Sequence, residues 1–202
     1  CSSDLRRRRS HTVTVVDGCL VAVGGTGIRW CEFLEEGRLV WQPMPRLDTD
    51  RWNHAACECR GRVWVCGGIT GTEPLGASSM VSWGRGDTAW RPEAPLGTGR
   101  RVHGMAGLGD RLLVCGGLGK DFYRARSVEV YDVSTKIWTY IQELPEDKLD
   151  PAMVVHGDSV YIIGGCSAST LCYSQGRGWQ QLQQLPERMG RTFACLVDLP
   201  DH

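Results

Sequence analysis

Short apolar runs, each closing on two glycines, set the pattern of this chain. They read Leu20-Val21-Ala22-Val23-Gly24-Gly25, Val63-Trp64-Val65-Cys66-Gly67-Gly68, Leu112-Leu113-Val114-Cys115-Gly116-Gly117 and Val160-Tyr161-Ile162-Ile163-Gly164-Gly165. Runs of four residues bounded by turn signals predict strands. Tight-turn dipeptides precede each run: Asp17-Gly18, Arg60-Gly61, Gly109-Asp110 and Gly157-Asp158. Such pairs supply the positive φ that a two-residue hairpin requires. No stretch of helical period is long enough to compete. Each unit therefore reads as four strands. In the second they fall at His54–Glu58, Val63–Gly67, Ser79–Trp83 and Ala89–Arg91, and in the third at His103–Leu108, Arg111–Cys115, Ser127–Tyr131 and Ile137–Ile141.

The spacing separates framework from loop. A tryptophan follows each glycine pair: Trp41, Trp90, Trp138 and Trp179. From each of the first three to the next glycine pair is 26 residues, whereas the second glycine precedes its own tryptophan by 16, 22, 21 and 14. All length variation thus sits in one half of the repeat, as surface loops require. Glycine lets another backbone or a ring lie directly on a strand, and the recurrent tryptophan is the expected ring. A sheet this thin cannot bury both faces alone, and radial stacking of the copies solves that.

The unit resembles the Kelch repeat. The third copy carries the likeness: Gly116-Gly117, Val128-Glu129-Val130-Tyr131-Asp132, Trp138 and Leu144-Pro145. The other copies are looser, with Trp83, Cys172-Tyr173 and Phe33 near the tyrosine place. The resemblance implies an all-β, Kelch-type β-propeller with repeats near 11–42, 54–91, 103–141 and 152–182, and a further first strand at 192–197. Extending the spacing at both ends predicts an incomplete arc of four four-stranded blades plus one strand of a fifth. A closed four-bladed ring is the alternative.

Composition narrows the classes. Lysine plus arginine equals aspartate plus glutamate at 23 each, which offers no electrostatic case for nucleic acid or an anionic membrane. No apolar run reaches the roughly 18 residues that span a bilayer. Of the ten cysteines, Cys66 and Cys115 hold equivalent places in successive units. Each then points the same way in its own unit, which reads as small buried thiols in a reducing compartment, the cytoplasm, rather than as a disulfide.

Two loop sets are expected to share one face: one after each glycine pair, and one after each tryptophan leading into the next unit. In the third long loop, Lys120, Phe122, Tyr123, Arg124 and Arg126 place cations and aromatics on a turn, as interface anchors or as a solvated loop. In the second set, Arg8, Arg51 and Arg100 stand three before His11, His54 and His103, with Pro151 at the fourth place. Ringed arginines would make a positive mouth for acidic peptides, with Arg101, Arg188 and Arg191 as further candidates. Alternatively the arginines and histidines bond backbone carbonyls between blades.

Enzyme signals are weak. Cys57-x-Cys59 with Cys66 lacks a second tight pair for zinc. Gly97-Thr98-Gly99 opens no helix, and Gly116-Gly117-Leu118-Gly119-Lys120 lacks the hydroxyl residue of a phosphate loop. No catalytic, metal or cofactor-binding residues are expected. The resemblance implies a protein-interaction propeller with a protein or peptide partner. In the family this is often the substrate-recognition part of a BTB–Kelch adaptor of a cullin–RING ubiquitin ligase. The alternatives are an actin-binding or scaffold protein, and a propeller enzyme.

Overall fold

A computed structural model describes residues 8–74 and 76–189, and these form strands and connections without a helix. The first sheet comprises β1 (Thr12–Val16), β2 (Cys19–Val23), β3 (Cys31–Glu35) and β4 (Gln42–Pro43). The linker strand β5 (Arg51–Trp52) precedes the second sheet, β6 (Ala55–Cys59), β7 (Arg62–Cys66), β9 (Met80–Gly84) and β10 (Arg91–Glu93), with β8 (Ile69–Thr70) in its long loop. The third holds β11 (Gly104–Leu108), β12 (Arg111–Cys115), β13 (Val128–Asp132) and β14 (Ile137–Ile141). The fourth holds β15 (Ala152–His156), β16 (Ser159–Ile163), β17 (Thr170–Ser174) and β18 (Gly178–Gln181).

Each four-stranded sheet is an antiparallel meander in chain order, and β5 pairs with β8 in a separate two-stranded ribbon. The first hairpin of each closes through two residues, pairing Val16 with Cys19, Cys59 with Arg62, Leu108 with Arg111 and His156 with Ser159. Asp17 and Gly18 both hold positive φ, as do Arg60 and Gly61, which matches the twist of the flanking strands. Strands β1, β6, β11 and β15 pack one on the next. First strands therefore line an inner wall, and β4, β10, β14 and β18 lie outermost. The sheets stack as four blades of a propeller arc. The strand expected at 192–197 lies outside the described residues.

The core lies in the seams between blades. Val21 and Val23 of the first blade pack with Val63, Val65 and Trp83 of the second. Trp64 and Cys66 then face Leu112, Val114 and Tyr131 of the third. Alternate residues of each second strand thus serve opposite neighbours, which is why these strands read as continuous apolar runs. The eight described cysteines are all free. Burial pushes the Cys66 and Cys115 thiols up to about 12.

Candidate functional site

The glycine pair is a docking point for the next blade's linker. Gly24, Gly67, Gly116 and Gly164 hold φ of 60°, 64°, 70° and 68°. The second glycine of each of the first three pairs donates its N–H across the seam: Gly25 to the Arg51 carbonyl at 2.9 Å, Gly68 to Arg100 at 2.8 Å, Gly117 to Lys148 at 2.8 Å. A Cβ on Gly67 would meet the Arg100 carbonyl at 2.6 Å, and one on Gly68 the Trp52 carbonyl at 2.6 Å. The group lying on the glycines is therefore backbone, with His54 and His103 beside it, and not the recurrent tryptophan.

The tryptophans work elsewhere. Trp138 packs at a tilt against Tyr131 with ring centres 4.9 Å apart, Trp179 against Tyr173 at 5.0 Å, and Trp90 against Trp83 at 6.5 Å. Each indole N–H crosses a seam to the preceding linker, from Trp90 to Pro45, Trp138 to Ala94 and Trp179 to Gln142. Trp41, on the first blade, is 36% exposed.

The arginines expected at a positive mouth are inside the protein. Arg51 is 4% exposed and Arg100 is fully buried. Arg51 Nη1 donates to the Gly67 carbonyl at 2.6 Å and to that of Ser79 at 3.1 Å. Arg100 Nη1 donates likewise to Gly116 and Ser127, and its Nη2 pairs with Glu129 at 2.5 Å. The first blade repeats this with Arg8, which bonds the Gly24 and Trp30 carbonyls and pairs with Glu32. In the fourth, Lys148 Nζ reaches the Gly164 and Ser169 carbonyls at 3.0 and 2.8 Å. Each cation stands 16 residues before its glycine, so one clamp recurs four times. Sequence reasoning missed Lys148, although its constant separation from Gly164 was available.

A second device rings the inner rim. Ser10, Asn53, Val102 and Asp150, each just ahead of a first strand, hold φ between 47° and 57°. The Asn53 N–H donates to Ser10, that of Val102 to Asn53, and that of Asp150 to Val102, at 3.0, 2.9 and 2.8 Å. Just beyond, His54 and His103 are buried. Burial, then the Arg51 charge, lowers the His54 imidazole to about 3, and burial, then the Arg100 charge, holds His103 well below the usual histidine range. His54 Nε2 meets the Thr12 hydroxyl at 2.8 Å. These histidines are neutral packing groups between blades.

What remains on the loop face is the turn after Gly117. The linker bridges to this turn, Arg101 with Leu118, and Leu118 bridges Arg124 across its base. The Gly119 N–H donates to the Tyr123 carbonyl at 2.9 Å. Closing the base so tightly pushes residues 120–124 outward, and Lys120, Asp121, Phe122, Tyr123 and Arg124 are all exposed. Phe122 is 66% and Tyr123 68% exposed. Phe122 holds φ at 56°, a region a bulky residue seldom adopts. The Arg101 guanidinium lies 4.8 Å from its ring centre. Arg101 is itself only 7% exposed, so it supports the turn rather than presenting a charge. Arg126 is half-buried and staples the linker through the Leu144 and Pro145 carbonyls. Arg188 is exposed on the fourth linker, and Arg191 lies outside the described residues. Among the described residues no group of three or more His, Cys, Asp or Glu side chains could hold a metal. No described helix is long and apolar enough to cross a membrane.

Four meandering sheets packed through their first two strands define the class, a β-propeller arc. Within that class, residues 99–145 match the family model described as the Kelch motif. A solved structure titled "Structure of YjhT" is similar at a TM-score of 0.80 and 16% identity, over 91% of this chain and 67% of that one. No curated protein matches. The chain is a β-propeller arc whose third blade carries a Kelch motif.

Proposed function

We propose that the arc is a protein-interaction module whose contact centres on the third-blade turn at Lys120–Arg124. The observation that carries this reading is the adjacent pair Phe122 and Tyr123, both about two-thirds exposed on a turn locked at its base. Aromatic side chains on a rigid support bury much area at little cost in ordering, which makes them anchors at interfaces. Lys120 and Arg124 flank the pair and favour a partner with acidic residues beside an apolar patch.

The double variant F122A/Y123A tests it. Anchor residues typically cost ~2–4 kcal/mol on truncation. Capture of the partner in a pull-down is expected to weaken at least tenfold, with the melting temperature unchanged. Equal capture by the variant would remove this turn from the interface.

The finer role, presenting that partner to a cullin–RING ubiquitin ligase, rests on the family resemblance. It requires a BTB region on the same polypeptide. Co-precipitation of a cullin with the full-length protein is the expected result, and its failure would favour the scaffold role.

A further inference from the structure

The seams between blades are not filled alike. Strand pairing sets Val21, Trp64, Leu113 and Tyr161 at one equivalent position, opposite Thr14, Cys57, Ala106 and Val154. Trp64 is 2% exposed. Its ring lies 5.7 Å from Tyr131 of the next blade, and its indole N–H donates to the Cys59 carbonyl at 3.0 Å. The chain's own indole thus plugs the seam between the second and third blades at its hairpin end.

The seam between the first and second blades has the same walls without the plug. Val21 replaces Trp64, Val16 stands in the place of Cys59, and Trp83 in that of Tyr131. Phe33, opposite Val21 where Ser82 faces Trp64, takes up part of the space. A cavity of about 220 Å³ remains, lined by Val16, Cys19, Phe33, Met44, Pro45 and Trp83. An apolar cavity of ~150 Å³ is enough to stay dry and take up benzene. At the rim Arg85 pairs with Glu35 and Asp87 with Arg62, and the Asp17 carboxylate beside them disfavours an anion. The corresponding space between the third and fourth blades, about 340 Å³, has Leu108, Leu113 and Tyr173 on one wall but adds Arg111, Asp132, Thr135, Thr139 and Gln175, a more polar lining that offers partners to water.

We infer that the cleft between the first and second blades binds a free, neutral aromatic heterocycle of indole size that carries a ring N–H. The ring lies against Trp83, as Trp64 lies against Tyr131. The N–H is donated to the Val16 carbonyl, as that of Trp64 is to Cys59. This site opens on the hairpin end of the blades, opposite the proposed protein contact, so the two readings fail independently.

Titration of the whole chain with indole, followed by amide NMR shifts, tests the inference. Saturable shifts are expected at Val16, Cys19, Phe33 and Trp83. N-methylindole, which lacks the donor, should bind at least fivefold more weakly. The double variant V21W/F33S copies the Trp64–Ser82 pair and should abolish the shifts. Should that variant fail to fold, W64V provides the reciprocal test: opening the second seam should add indole-induced shifts at Cys59 and Tyr131. No saturable shift in the natural chain, equal binding of N-methylindole, undiminished binding in folded V21W/F33S, or no new shifts in W64V would overturn it.

Discussion

Val102 holds φ at 47° at the inner rim, where its N–H must reach the Asn53 carbonyl. A β-branched residue pays for a left-handed backbone, on the order of 1–2 kcal/mol. Asn53 and Asp150 occupy the equivalent rim places, and short polar side chains tolerate this conformation better. The substitution V102N is therefore expected to stabilise the protein by ~1 kcal/mol, read as a higher urea midpoint with an unchanged slope. Next to the rim, His54 supplies a pH signature. Its folded value is lowered from 6.5 to about 3, chiefly by burial. Above pH 6.5 the imidazole is neutral in both states and its contribution is complete. As pH falls from 6.5 toward 3, the unfolded chain takes a proton that the folded one refuses, and stability declines by up to ~1.4 kcal/mol per pH unit. His103 acts in the same direction. H54Q should flatten the loss of stability between pH 6 and 5 relative to the natural protein. An unchanged slope would mean that the ring is protonated or solvated in the fold.

Among the elements, the linker between blades carries most of the specificity of the architecture. It delivers a cation to the glycine of its own blade and a carbonyl to the glycine of the preceding one. Arg100 and Glu129 are both fully buried, and Glu129 also accepts the Gly97 and Thr98 N–H groups. Removing one member of such a pair leaves an uncompensated buried charge, which costs ~3–5 kcal/mol. R100A should lose stability on that scale, measured by denaturant unfolding. R8A should lose less, because the Glu32 side chain of its pair is 42% exposed. The strands, their order and the hairpin turns could be read from the sequence, because apolar runs and turn dipeptides act locally. In the third unit Arg111–Cys115 and Ile137–Ile141 fall where expected, while the first strand begins at Gly104 rather than His103. The burial of Arg51 and Arg100 is set by a linker and loop folding back over them, and arginine alone carries no mark of that. The constant 16-residue step to the glycine was the one local trace. Likewise the glycine pair gave away a close approach, but not that its occupant is the next linker's backbone rather than the tryptophan.

On the scale of the whole arc, the two ends of the blades divide the work. One end ties each linker to the loop it crosses and leaves the Phe122–Tyr123 turn projecting. The other bears the two-residue turns of the first hairpins and the three- to six-residue connections from each third strand to its fourth. A partner large enough to be held by an aromatic pair would therefore meet the first end. Amide hydrogen exchange along the chain, with and without the captured partner, tests this division most directly. The account predicts new protection across 118–126, with the turns at 17–18, 60–61, 109–110 and 157–158 unchanged. Protection confined to those turns, with 118–126 exchanging as freely as before, would contradict it.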